Sequence, residues 1–196
     1  MLLLEQQNIN PNAAGTKYGR SPLFWAVEKG DEGVVKLVLK RDDIDPNTAD
    51  TGYGQTPLKR AALQGHQRIV KLLLGREDIN LNTPGPKSQM APLGQAAWAG
   101  HERVAEFLLQ RGGINPNISG TKYSIKALHW AVQRGHAGVV KLLLERKDID
   151  PNTTDSVPNR PVRTPGPWRP IVPSVPGRVC KDGRARRPPL LHTAVL

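Results

Sequence analysis

Three histidines, His66, His101 and His136, recur every 35 residues, and evenly spaced imidazoles raise the question of a metal site. Zinc collects its nitrogen and sulfur ligands at about 2 Å around one point. Side chains on successive stacked units stand about 10 Å apart, the packing distance of helices, so one ion cannot reach two of them. Each histidine follows a glycine at a helix end, and its structural reading is a ring bonded to the local turn. Other chemistry is sparse. Cys180 is the single cysteine, so no disulfide forms within the chain. There is no HExxH pair, no phosphate-cradling glycine loop and no GxSxG elbow. Asp42-Asp43 and Asp148-Asp150 are acidic but solitary and read as solvated loop charge. No catalytic residue, metal or cofactor is expected, and the chain is not expected to be an enzyme.

The spacing of the histidines belongs to a larger pattern. Pro22, Pro57 and Pro92 are each followed by leucine, and a fourth copy keeps Leu128 behind Ala127. Ala26, Ala61, Ala96 and Ala131 fall in register, as do Gly30, Gly65, Gly100 and Gly135. Apolar triplets follow at Leu37-Val38-Leu39, Leu72-Leu73-Leu74, Phe107-Leu108-Leu109 and Leu142-Leu143-Leu144. Ile44, Ile79, Ile114 and Ile149 come next, and three residues later Asn47, Asn82, Asn117 and Asn152. Leu2-Leu3-Leu4, Ile9 and Asn12 match the end of a truncated fifth copy. Self-similarity at such a period marks an array of small structural units.

Each unit reads as helix, turn, helix and extended loop. Thr56-Pro57 and Ser21-Pro22 place a capping hydroxyl before a proline that suits the first helical position. A short helix then runs to about Gln64, where Gly65 supplies the left-handed residue that ends it. Ile69, Val70, Leu72, Leu73 and Leu74 recur at helical spacing in a second helix and leave Arg68, Lys71 and Arg76 for solvent. Pro46, Pro116 and Pro151 exclude helix from the loops that follow. One such unit cannot bury its apolar face alone, whereas a stack shares one continuous core. In the third and fourth copies Ala91 and Lys126 replace the capping hydroxyl, and their first helices are expected to fray more easily.

Composition sets the background. The net charge is +11 and 38% of residues are hydrophobic. Residues 1–157 hold 20 Lys/Arg against 16 Asp/Glu, while residues 158–196 hold eight against Asp182 alone. The charge that would suggest nucleic acid therefore sits in the last segment. That segment carries nine prolines and loses every position of the repeat, so it reads as disordered or polyproline-like. Pro158-Asn159-Arg160-Pro161-Val162-Arg163 fits an SH3-type ligand. Arg184-Ala185-Arg186-Arg187 fits a nuclear-import or nucleic-acid patch. The abrupt loss of register also fits a frame or splice-boundary shift in the gene. The opening Met1-Leu2-Leu3-Leu4 is too short for a secretory signal, and no apolar run approaches the roughly 18 residues of a membrane helix. The expected compartment is intracellular, the cytoplasm first, with the nucleus left open by the arginine cluster.

The stretch GQTPLKRAALQGHQRIVKLLLGREDINLN resembles the ankyrin repeat, with its T-P-L-x-x-A-A-x-x-G-H-x-x-V/I-V-x-x-L-L signature. The resemblance covers residues 1 to about 155. The period of 35 departs from the usual 33 of that family, and two extra residues fit in the connector between Asn47 and Tyr53. The D-P-N and Y-G segments resemble fungal ankyrin arrays. The resemblance implies an all-α solenoid of stacked helix-turn-helix units with projecting loops or hairpin fingers, and a partner held on the concave face of first helices and finger tips. Ankyrin repeats often carry histidine two residues after the proline. That slot here holds Phe24, Lys59, Gly94 and His129, so the hydrogen-bonding role given to it is expected only at His129.

Under that reading, residues 1–17 form a truncated half repeat. Four repeats span 18–52, 53–87, 88–122 and 123–157, and residues 158–196 are a Pro/Arg-rich tail. First-helix positions facing the concave side are Glu28-Lys29, Leu63-Gln64, Trp98-Ala99 and Gln133-Arg134, and the finger-tip slot holds Arg20, Gln55, Met90 and Ile125. The expected contact set is Leu63, Met90, Trp98, Ile125, Arg20, Gln55, Lys29 and Arg134. An exposed apolar group on a soluble protein marks an interaction site. Against this, Trp98 could fold over the space that Gly94 leaves one helical turn earlier. Trp25 and Trp130 read as packing residues. The expected function is a protein-interaction scaffold, with nucleic-acid or SH3-type association through the tail as the alternative. The partner is an unidentified protein and no membrane is expected. Neither end looks capped, so the array reads as a fragment of a longer one, marginal alone, whose exposed ends self-associate.

Overall fold

Proline and a capping hydroxyl open the first helix of the first two units. In the computed structural model the described residues are 10–15, 18–83, 90–118 and 126–149. Helix α1 (Pro22–Lys29) starts at Ser21, whose Oγ accepts from Phe24 N, and α3 (Pro57–Gln64) starts at Thr56, whose hydroxyl accepts from Lys59 N. Helix α5 (Pro92–Ala99) and α7 (Ala127–Gln133) begin at Ala91 and Lys126, and neither makes a side-chain cap. Ser21 sits in the equivalent slot fully enclosed, so the slot has room for a hydroxyl. Ala91→Ser is expected to raise stability by about 1 kcal/mol, read as a higher urea midpoint. An unchanged midpoint would show that α5 gains nothing from a cap.

Each first helix except α7 ends directly on glycine at positive φ: Gly30 at 73°, Gly65 at 73° and Gly100 at 76°. Gly135, at 73°, follows one residue after Arg134 in the fourth unit. The next residue's N–H then reaches back to the helix, as in His66 N to Ala61 O at 3.1 Å and His136 N to Ala131 O at 2.9 Å. This closes the first helix and turns the chain into the second. The second helices are α2 (Glu32–Leu39), α4 (Gln67–Leu74), α6 (Glu102–Gln110) and α8 (Ala137–Leu144). First helices pack in one row, α1 on α3 on α5 on α7, and second helices in another, α2 on α4 on α6 on α8. Leu58, Ile69, Leu73, Val104 and Leu108 are fully buried between the rows. Each such side chain contributes roughly 1.5–3 kcal/mol relative to exposure.

Three polar ladders run between successive repeats, and all are made by residues in 35-residue register. In the first, Asn12 Nδ2 donates to Asp43 O at 2.7 Å and Asn12 Oδ1 accepts from Asp45 N at 2.8 Å. Asn47 does the same to Asp78 O and Asn80 N, and Asn82 to Gly113 O and Asn115 N. Asn117 donates to Asp148 O. Asn12, Asn47 and Asn82 thus each satisfy one carbonyl and one N–H of the next repeat's loop. Its own N–H is held two residues back, by Asn10, Asp45, Asn80 or Asn115. The [Asp/Asn]-x-Asn spacing is therefore an Asx turn that aims the amide.

The second ladder is made by histidine. His101 Nε2 donates to Leu63 O at 3.0 Å and His136 Nε2 to Trp98 O at 3.2 Å. The expectation of a bond to the local turn is corrected: the ring reaches the first helix of the preceding repeat. At the first interface Gln64 Nε2 takes Glu28 O at 3.3 Å, and the enclosed His66 Nε2 is left without a partner. Burial pushes His66 below its ordinary pKa, helped by the nearby Arg60 charge.

In the third ladder Arg41, Arg76 and Arg146 each grip the aspartate two residues on with both arms of the guanidinium. Arg76 Nε and Nη2 lie 2.9 and 2.7 Å from the Asp78 carboxylate oxygens. Arg76 Nη1 donates to Leu39 O, and Arg146 Nη1 to Leu109 O at 3.0 Å, so each caps the preceding repeat's second helix. Asp43 and Asp148 are therefore fork partners, which corrects their reading as unpartnered loop charge. Guanidinium hydrogen bonds hold Asp43, Asp78 and Asp148 below the usual carboxylate range. What they contribute is present above that range and is lost as pH falls through it. The third repeat has Gly113 in the aspartate position and no fork.

The truncated half repeat as far as Ile9, the finger around Ile125 and the tail lie outside the described residues. Among the described residues the fingers contain no strand; Asp50 N donates to Gln55 O at 2.9 Å across a tight turn, and Thr51 N to Tyr18 O links this finger to the one before.

Candidate functional site

The row of first helices and the finger bases beside it carry the side chains singled out from sequence. Near repeats one and two this face is a charged network. Arg20 lies 3.1 Å from the Glu28 carboxylate and 3.7 Å from Asp50, and Arg60 lies 3.1 Å from Glu28. The Arg20 guanidinium also stands about 5 Å from the ring centres of Phe24 and Trp25. Asp50 Oδ1 accepts from Tyr53 N and Gln55 N, which folds the finger over the network. Gln55 is only 6% exposed. Arg20 and Gln55 are thus engaged within the chain, and Lys29 is exposed beside them.

Lys59 occupies the slot where His129 stands in the fourth repeat. It is 1% exposed, and its Nζ donates to Gly54 O at 3.2 Å. Burial lowers its pKa to about 8, against the opposing pull of Asp50. The bond expected at His129 is not found at Nδ1, which is buried without a partner. The finger-facing hydrogen bond is made by lysine instead. Sequence reasoning missed Lys59, and the available signal was its position between buried Leu58 and Ala61.

Near repeats two to four the face turns apolar. Leu63 and Trp98 are half-buried at equivalent positions of α3 and α5, and their carbonyls are the ones held by His101 and His136. The indole of Trp98 packs against the core, and the Arg134 guanidinium stands 4.3 Å from its ring centre. Met90 is also half-buried, and its Cβ lies 3.5 Å from where a Gly94 Cβ would be. Met90 therefore lies beside the space that Gly94 leaves. Trp130 is buried in the core and Trp25 is half-buried under Arg20. Ile125 lies outside the described residues. The structure thus groups Leu63, Met90, Trp98 and Arg134 on neighbouring elements, with Arg20, Gln55 and Lys29 toward the other end of the row. Among the described residues no three His, Cys, Asp or Glu side chains form a metal-holding group.

Comparison with known families decides what this architecture is. The family described as ankyrin repeats in three copies matches residues 44–120 and 78–155, and the single ankyrin repeat matches residues 18–51. The chain belongs to the ankyrin repeat family. A search of curated proteins finds no match. Ankyrin repeats are in general protein–protein interaction modules and are typically not enzymes, and this ankyrin array has their all-helical form across its described residues. No described helix is long and apolar enough to cross a membrane.

Proposed function

We propose that this ankyrin array holds a protein partner on the face made by its first helices and fingers. The observation that carries this reading is Trp98. It is half-buried, its ring is covered by the exposed Arg134, and its carbonyl is pinned by His136. A half-buried aromatic anchor with an exposed cation over it gives a partner both contact area and a charge to pair with. Leu63 and Met90 extend the apolar surface, and Lys29 adds a positive rim. Arg20 and Gln55 support the shape of the face from within it, and Ile125 is included by its repeat register alone. The mechanism is complementarity to a largely preformed surface, with no chemical step.

The test is capture by the full chain and by Trp98→Ala and Met90→Ala variants, at low and high salt, with Lys36→Ala on α2 as control. Truncating a central tryptophan anchor costs about 2 kcal/mol or more, a loss of roughly 30-fold in affinity. A protein bound by the parent and the control, lost with Trp98→Ala and little affected by salt, supports the reading. Capture of nucleic acid alone, falling steeply with salt and abolished by removing residues 158–196, would place the activity in the tail instead.

A further inference from the structure

Among the described residues, nothing packs on the outer face of the last repeat. Val132 is 59% exposed, whereas Val27, Ala62 and Ala97 at the same position are 0% exposed. Each of those three lies under the helix pair that follows it. Leu144 is 52% exposed, and with Val132 and the half-buried Val140 it lines an open apolar groove of about 660 Å³. Lys141 on α8 and Glu145 at its C-cap, one turn apart, border the groove, and neither has an ion-pair partner among the described residues. At the other end of the array Asn12 binds Asp43 O and Asp45 N, so residues 10–15 already occupy the loop edge of the first repeat.

We propose that this groove seats the same groove of a second copy of the chain, related by a two-fold axis across α8. The reason is charge complementarity. When two α8 helices lie antiparallel, Lys141 of each copy faces Glu145 of the other, so one lysine and one glutamate serve both halves of an isologous contact. Val132, Val140 and Leu144 are buried in the centre; the equivalents of the first two in the inner repeats are fully buried, and those of Leu144, Leu39, Leu74 and Leu109, are half-buried. This contact uses a different surface from the first-helix face and leaves that face open.

The test is the mass of the full chain by sedimentation equilibrium across a concentration series. The parent is expected to double in mass and stop. Leu144→Asp is expected to be monomeric with an unchanged helical circular dichroism spectrum. Lys141→Glu and Glu145→Lys, each alone, place like charges opposite one another twice per dimer and weaken association about tenfold. The two together restore the pairs with signs exchanged and recover the dimer. A parent that stays monomeric at every concentration, as when its own residues 150–196 cover the groove, overturns the proposal. So does a mass that keeps growing, the mark of head-to-tail stacking, or a charge-exchanged double variant no better than the singles.

Discussion

Replacing Gly100 by alanine lowers stability by about 2–3 kcal/mol, and most of what exceeds the backbone cost disappears when His136 is alanine too. Gly100 has φ 76°, where a Cβ is strained, and that Cβ would stand 2.6 Å from the His136 ring. The ring must move, and its bond to Trp98 O is lost with it. Gly135 supplies the internal control. Its φ is 73° but among the described residues nothing lies within 4 Å of its Cβ position, so Gly135→Ala carries only the backbone part, about 1 kcal/mol. Urea denaturation of the four variants measures the difference. Equal losses at Gly100 and Gly135, or strict additivity of Gly100→Ala with His136→Ala, would mean that the histidine ladder does not hold the repeats together.

Stability is also expected to rise between pH 8 and about 10, by up to about 3 kcal/mol, through Lys59. Its pKa is lowered from 10.5 to about 8 by burial. In that window the unfolded chain still binds the proton and the folded chain has released it, so raising the pH favours the folded state. Below pH 8 the folded protein carries the full cost of an enclosed ammonium. Lys59→Met removes the group while keeping its length, and the rise should vanish. A parent and a variant with parallel stability profiles from pH 7 to 10 would refute the burial of a charged Lys59.

The frame of the fold was legible because it is written in residues with narrow backbone roles. Pro57 and Gly65 bracket α3, and the alanine and leucine positions between them face the core in each copy. Contacts between repeats were harder to read. His101 and His136 bind a carbonyl 38 residues earlier, a partner that only stacking brings near. The forks of Arg76 with Asp78 and Arg146 with Asp148 left a visible trace, Arg-x-Asp at the period of 35. A charged pair in a loop nevertheless reads as solvated until its third donor is seen to cap another helix. The first-helix face was legible as a set of positions but not as an environment. Arg20 and Gln55 look exposed by register, and it is Asp50, folding the finger inward, that encloses them. The grouping of Leu63, Met90 and Trp98 followed from register alone, whereas the cover that Arg134 places on Trp98 depends on side-chain conformation.

The asparagine ladder has a mechanical consequence. The joints at Asn12, Asn47 and Asn82 are each fastened at the loop edge by two short directional bonds from one amide. Away from that edge the histidine and arginine bonds touch each joint at single points and the remainder is mostly apolar contact, which tolerates small displacements better than a hydrogen bond tolerates stretching. A repeat rocking on its neighbour therefore pivots at the asparagine, as pages turn about a spine. Small rotations at successive joints then add up where the first helices meet, widening or narrowing the space offered to a partner while the loop edge keeps its length.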